Sequence, residues 1–133
     1  MPIELHGADV LMRQLKEYQV LQPKLDKLTT RYAGLLETAI KGAASGRPGP
    51  NAPTGDYRRS WTTAFGTLPN GNRVAVVGTL KPQGMRLEYG FNDTDALGRE
   101  YHQPPYPHVR PSYLRVLPLF HAACRRAAEP RKK

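Results

Sequence analysis

Residues 61–80 read Trp61-Thr62-Thr63-Ala64-Phe65-Gly66-Thr67-Leu68-Pro69-Asn70-Gly71-Asn72-Arg73-Val74-Ala75-Val76-Val77-Gly78-Thr79-Leu80. Residue character alternates here with a period of two, the repeat of a strand whose two faces differ. Asn70-Gly71 lies at the centre, and that pair is the strongest short signal for a two-residue hairpin turn of type I′. With Asn70 and Gly71 as the turn, Pro69 faces Asn72, Phe65 faces Val76, Thr67 faces Val74 and Trp61 faces Leu80. All of these then share one face, as a half-buried hairpin requires. The expected hairpin core is Trp61, Phe65, Val74 and Val76.

On the N-terminal side the period lengthens. Leu11, Leu15, Tyr18, Leu21, Leu25, Leu28, Tyr32, Leu35 and Ala39 recur at steps of three and four. That spacing lines one face of a helix over about residues 9–44, with Asp9 as its N-cap. Pro23 lies inside the run, where it removes a backbone hydrogen bond and crowds the preceding turn. The apolar phase nevertheless passes from Leu21 to Leu25 unbroken. One kinked, continuous helix is predicted, with two helices joined near Gln22 as the alternative. The stripe suits packing on the chain's own sheet; a coiled-coil seam is its other use. Residues 42–53 are dense in glycine and proline and read as a loop.

Beyond the hairpin, residues 84–90 read as a short strand or turn ending at Gly90. Residues 91–108 are polar and proline-rich, a second long loop. A last helix is expected over residues 112–128, carrying Leu114, Leu117, Phe120, Ala123 or Cys124, and Ala127. Pro118 either kinks it or marks where its regular part begins. The expected fold class is α+β: a long kinked N-terminal helix, a small antiparallel sheet built on a β-hairpin, and a C-terminal helix. Its 133 residues fit a single domain ending in a basic tail at 129–133.

Composition narrows the function. The chain is 39% hydrophobic, with 13 prolines and 12 glycines, which predicts a small core carrying irregular loops. Such a chain completes its burial against neighbours. The single cysteine, Cys124, cannot form an internal disulfide, which fits a reducing compartment. No apolar run approaches the length of a membrane span, and Met1-Pro2-Ile3-Glu4 lacks the pattern of a signal peptide, so cytosolic synthesis is expected. The net charge is +9. Residues 1–54 hold seven basic and five acidic side chains, and residues 55–133 hold thirteen and six, so the excess sits in the second half. That excess suggests a polyanion or an acidic protein surface as partner. A small basic nucleic-acid-binding protein is therefore the alternative function. Against it, no basic stripe is interleaved with stacking aromatics.

Catalytic and metal chemistry find little support. His6, His102, His108 and His121 are dispersed, and no Cys or His pair has zinc-site spacing. Cys124 falls inside the apolar stripe of the last helix, with no base beside it. Gly46-Arg47-Pro48-Gly49 places prolines where a phosphate loop needs backbone donors. No cofactor is expected. Glu88 is the most informative carboxylate. If its segment is extended, it points away from Leu87 and Tyr89. It is then either a solvated strand residue or half of a structural ion pair with Arg58, Arg59 or Arg110. Arg110 lies just before Pro111, which fixes how the chain enters the last helix.

Three segments carry a further signal. They are Thr54-Gly55-Asp56-Tyr57-Arg58-Arg59-Ser60-Trp61, Leu87-Glu88-Tyr89-Gly90 and Pro107-His108-Val109-Arg110-Pro111-Ser112. In this order, between two helices, they resemble the tail-completion or neck proteins of long-tailed bacteriophages. That family tends to read Thr-Gly-x-(apolar)-Arg-x-Ser, then (apolar)-Glu-(aromatic)-Gly, then (apolar)-Arg-Pro-Ala before a last helix. The likeness covers roughly residues 10–128. The chain departs from the family habit at Ser112, which replaces Ala, and at Asp56-Tyr57, which replaces a more aliphatic pair.

The resemblance implies a structural protein of the virion, in the tail or head–tail neck, synthesised in the host cytoplasm. It implies a homo-oligomer, a sixfold ring, between head-connector proteins and tail-tube or tail-terminator proteins. DNA would pass through the lumen without sequence-specific binding, and no membrane would be involved. It implies scaffold or subunit-contact roles for Thr54, Gly55, Arg58, Ser60, Glu88, Gly90, Arg110 and Pro111, and no catalytic residues. A closed ring needs two different patches on each subunit. The expected pair is a basic one with Arg58, Arg59 and Arg110, and an acidic one with Glu88, Asp93 and Asp95.

Overall fold

The computed structural model describes residues 8–129. All but the first residue of the basic tail expected at 129–133 lies outside them. Helix α1 (Ala8–Ala43) is followed by a short helix α2 (Asp56–Arg59), strands β1 (Thr62–Thr67) and β2 (Arg73–Gly78), and helix α3 (Gln83–Tyr89). Strands β3 (Phe91–Thr94) and β4 (Glu100–Gln103) precede the last helix α4 (Val109–Ala128). The fold is the expected α+β, a long N-terminal helix, small antiparallel sheets and a C-terminal helix. The four strands make two separate two-stranded sheets, β1–β2 and β3–β4.

Helix α1 is one uninterrupted element of 36 residues through Pro23, about 54 Å long at 1.5 Å per residue. Asp9 falls in its first turn rather than at its cap. The continuous apolar phase explains why the helix survives its proline. One lost hydrogen bond is offset by packing that begins at the half-buried Leu21 and Gln22 and continues at Leu25 and Leu28. The C-terminal half of α1 packs on α4 and β2, where the Tyr32 and Phe120 rings meet at 5.7 Å. Residues 9–20 are all exposed, and Gln14, Tyr18 and Leu21 line a shallow groove beside the end of α4 at Ala127 and Ala128.

The hairpin is present, but its register differs from expectation by one residue. Phe65 pairs with Ala75, Ala64 with Val76 and Thr67 with Arg73. Phe65 and Val76 therefore lie on opposite faces. The cause is Pro69. A two-residue loop needs an N–H at position 69 to bond back to residue 72, and proline has none. Leu68 N–H donates to the Asn72 carbonyl instead (2.8 Å), and Gly71 N–H donates to the Leu68 carbonyl (2.9 Å). The loop becomes Pro69-Asn70-Gly71, with positive φ at Gly71 and at no non-glycine residue. A three-residue loop ending in a left-handed glycine is the next common hairpin solution. Of the expected hairpin core, Trp61 is buried and Val74 half-buried, whereas Phe65 is 45% and Val76 61% exposed.

Three further segments depart from the sequence reading. Residues 83–89 are helical, not extended. The supposed loop at 91–108 contains the β3–β4 hairpin, whose turn is tied by Asp95. The Asp95 carboxylate accepts from the backbone of Leu97 and Arg99 and from the Arg99 side chain. Helix α4 starts at Val109, three residues before the expected start. The loop after α1 is packed down: Gly49 and Pro50 are buried, and the Arg47 guanidinium lies 3.7 Å from the centre of the Tyr106 ring. The central core is Ile40, Ala44, Tyr57 and Trp61, closed by Leu36, Val77, Leu87 and Val109.

Candidate interaction site around Glu88

The first motif forms a turn of helix that aims two aromatics inward. Gly55 adopts φ 76° immediately before α2, a left-handed conformation that costs glycine little. Thr54 Oγ1 accepts the Asp56 N–H, and the Arg59 guanidinium bonds the Asp56 carboxylate at 2.6 Å. That bond holds the exposed Asp56 carboxyl below its ordinary range. Tyr57 and Trp61, four residues apart, point into the core, and Ser60 Oγ meets Thr79 Oγ1 at 2.6 Å. Arg58 turns outward and donates to Ser45 Oγ.

The second and third motifs meet directly. A helix leaves its first four N–H groups without partners of its own. At the start of α4 these positions are His108, Val109, Arg110 and Pro111, and Pro111 has no N–H to satisfy. Glu88 Oε2 accepts from His108 N–H (2.8 Å) and Val109 N–H (2.9 Å), and Oε1 accepts from Arg110 N–H (3.0 Å). One carboxylate and one proline thus settle all four positions. No acid stands in the first turn of α4 itself, so α3 supplies the negative charge that its positive end favours. Glu88 is 8% exposed. Burial opposes its ionisation, but the three N–H donors and His108 outweigh burial and hold the carboxyl below its ordinary value of 4.5.

This geometry corrects both sequence-level options for Glu88. It is neither solvated nor paired with an arginine side chain; its bond to Arg110 is to the backbone. Of the expected acidic contact patch of Glu88, Asp93 and Asp95, Asp93 is exposed but Glu88 is not available. Glu88 faces inward, and Asp95 is held by Arg99 and Tyr101.

His108, which the sequence left among dispersed histidines, is the centre of the arrangement and is 0% exposed. Its Nδ1 lies 2.9 Å from the Tyr106 carbonyl and 3.1 Å from Glu88 Oε2. Both are acceptors, so Nδ1 carries a hydrogen. Nε2 lies 2.6 Å from the Tyr57 hydroxyl. Burial pushes the Tyr57 phenol up and the Glu88 charge adds to it, so the phenol keeps its proton. The Tyr57 and Trp61 rings contact the imidazole edge-on at 5.6 and 5.8 Å. Through Tyr57, His108 and Glu88 the three motifs converge on one buried knot. The side-chain polar atoms of these three residues are spent on one another and on backbone, whereas the buried Trp61 Nε1 has no partner. The only foreshadowing in the sequence is that His108 directly precedes a proline-marked helix start.

Gly90 closes the knot. Its φ is 82°, and a Cβ there would lie 3.0 Å from the Gln103 carbonyl and 3.1 Å from Pro105 N. Only glycine lets α3 turn into β3 this close to the segment leading to α4. Arg110 and Pro111 are exposed, and the Arg110 guanidinium makes no ion pair among the described residues. Beside the knot lies an open cleft of about 580 Å³ between β2, α3 and α4. Among the described residues no three His, Cys, Asp or Glu side chains are grouped to hold a metal, and no helix is long and apolar enough to cross a membrane. Compared with family models, curated proteins and solved structures, the chain matches none.

Proposed function

We propose that this chain is a structural subunit of a phage head–tail connector, forming a ring that completes the tail and joins it to the head around the DNA passage. Assembly by surface complementarity is its mechanism, without catalysis or cofactor. Its partners are its own copies, a head-connector protein, and a tail-tube or tail-terminator protein. The observation that carries the assembly reading is the first third of α1. There Leu11, Leu15 and Tyr18 continue the stripe that is packed farther along the helix, yet stand exposed. A stripe of this kind buries itself in an oligomer. The head–tail placement rests on the three motifs. Their convergence on one knot supports a scaffold role, because His108 is fully buried and both Glu88 oxygens are held by the start of α4.

The ring contact is apolar on this reading, with α1 as one patch, since Glu88 is not available to the acidic patch. Sedimentation of the free chain should show a closed oligomer. Leu15→Glu combined with Tyr18→Glu should give a monomer with an unchanged circular dichroism spectrum. A wild-type chain that stays monomeric, alone and with tail-tube protein, would sink the ring. The net charge of +9 favours a second reading, a nucleic-acid-binding protein. Tight, salt-sensitive binding to duplex DNA by a stable monomer would select it.

A further inference from the structure

We propose that the cleft beside the knot docks an acidic segment of a different protein that inserts apolar side chains between β2, α3 and α4. The cleft is lined by Trp61, Val77, Tyr89 and Tyr113, with Lys81 and Arg110 among the same residues. Met85, also in its lining, is exposed, and Leu80 stands fully exposed next to Lys81. An apolar centre with a polar rim is the anatomy of a protein-binding surface.

Charge selects the occupant. The one carboxylate in the lining is Glu88, and both its oxygens are taken by the backbone of α4. Lys81 and Arg110 form no ion pair among the described residues. Asp56 is close enough to feel Lys81, but its carboxylate is bonded to Arg59. Both cations are therefore available to a counter-charge that enters the cleft. A second copy of this chain fits poorly, because it brings a net charge of +9. Two cations at an apolar cleft are also too few to track a phosphate backbone, where several contacts are needed. A segment with leucine or phenylalanine flanked by glutamates matches both the apolar lining and the cations. This inference does not depend on the ring.

The test uses the full chain and a capped probe peptide, Glu-Phe-Glu-Leu-Glu-Leu-Glu, followed by calorimetry and by the fluorescence of Trp61, the single tryptophan. A control peptide carries Lys in place of each Glu, and a short oligothymidylate serves as the nucleic-acid probe. Saturable binding of the acidic peptide is expected, and none of the control. Lys81→Gln with Arg110→Gln should weaken it about tenfold, while the matched pair Arg125→Gln with Arg126→Gln should change it less than about twofold. All four side chains are exposed, so both proteins should fold. Absence of saturable binding overturns the proposal, as does equal loss in the two pairs, which would report only net charge. Oligothymidylate competing for the same two cations would make the cleft a nucleic-acid surface and overturn it. So would self-association of the free chain that Lys81→Gln with Arg110→Gln abolishes.

Discussion

At the scale of single residues, Glu88 is the strongest determinant. Glu88→Ala leaves three N–H groups at the start of α4 without their acceptors. A loss of about 3 kcal/mol is expected in urea unfolding, and about half that for Glu88→Gln, which keeps one neutral acceptor. The pH dependence follows from the lowered pKa. The folded value lies below 4.5, so the contribution is complete above that pH and is lost as pH falls through the folded value. Unfolding curves of wild type and Glu88→Gln should therefore converge in acid and separate towards neutrality. A constant difference from pH 3 to pH 7 would contradict the role of the charge. Gly90→Ala should cost about 2 kcal/mol, from its left-handed φ and the contacts at 3.0–3.1 Å. The sequence picked out Glu88 and Gly90 as notable, yet not their partners. A side chain announces its chemistry in its name, whereas the backbone amides that receive Glu88 belong to whatever residues begin a helix. His108 was hidden because its burial depends on Tyr57, 51 positions away.

At the scale of elements, helices α1 and α4 were legible because each repeats its apolar period over many turns. The β1–β2 hairpin was legible in existence and wrong in register. Asn70-Gly71 favours a two-residue turn by a local preference, but Pro69 withdraws the hydrogen bond that would close it. A missing donor is decisive where a propensity is only a bias. Helix α3 was illegible because seven residues span two turns, too few for a period of 3.6 to show. The observed register has a measurable consequence. Phe65 is half-exposed on the face of Ala75, so Phe65→Ala should cost about 1–2 kcal/mol, well short of the 3–5 kcal/mol for a buried aromatic. Trp61→Ala should cost the full amount, since Trp61 is 5% exposed. A reversed order of the two would restore the alternative pairing.

At the scale of the whole molecule, the low apolar content read from composition appears as a small core and a wide apolar surface. Only Ala33, Ile40, Ala44, Tyr57, Trp61, Val116 and Ala123 are buried apolar residues among those described, whereas large apolar side chains are exposed along α1, α3 and α4. If the ring closes through α1, its association should change little with added salt, because screening acts on charges and not on apolar contact. Strong dissociation in moderate salt would return the contact to the arginines. The length of α1 has a mechanical consequence as well. Its C-terminal half is packed on the body, while residues 9–20 are exposed along about 18 Å of the axis with only the end of α4 lining a groove beside them. The helix is a cantilever. A tilt of about 10° at the clamp moves the free end by about 3 Å, so small repacking at α4 or β2 becomes a displacement comparable to a side chain's width. Paired spin labels at Met12 and Arg115 would record that swing directly, as a change in the distance between them when a partner engages the body of the protein.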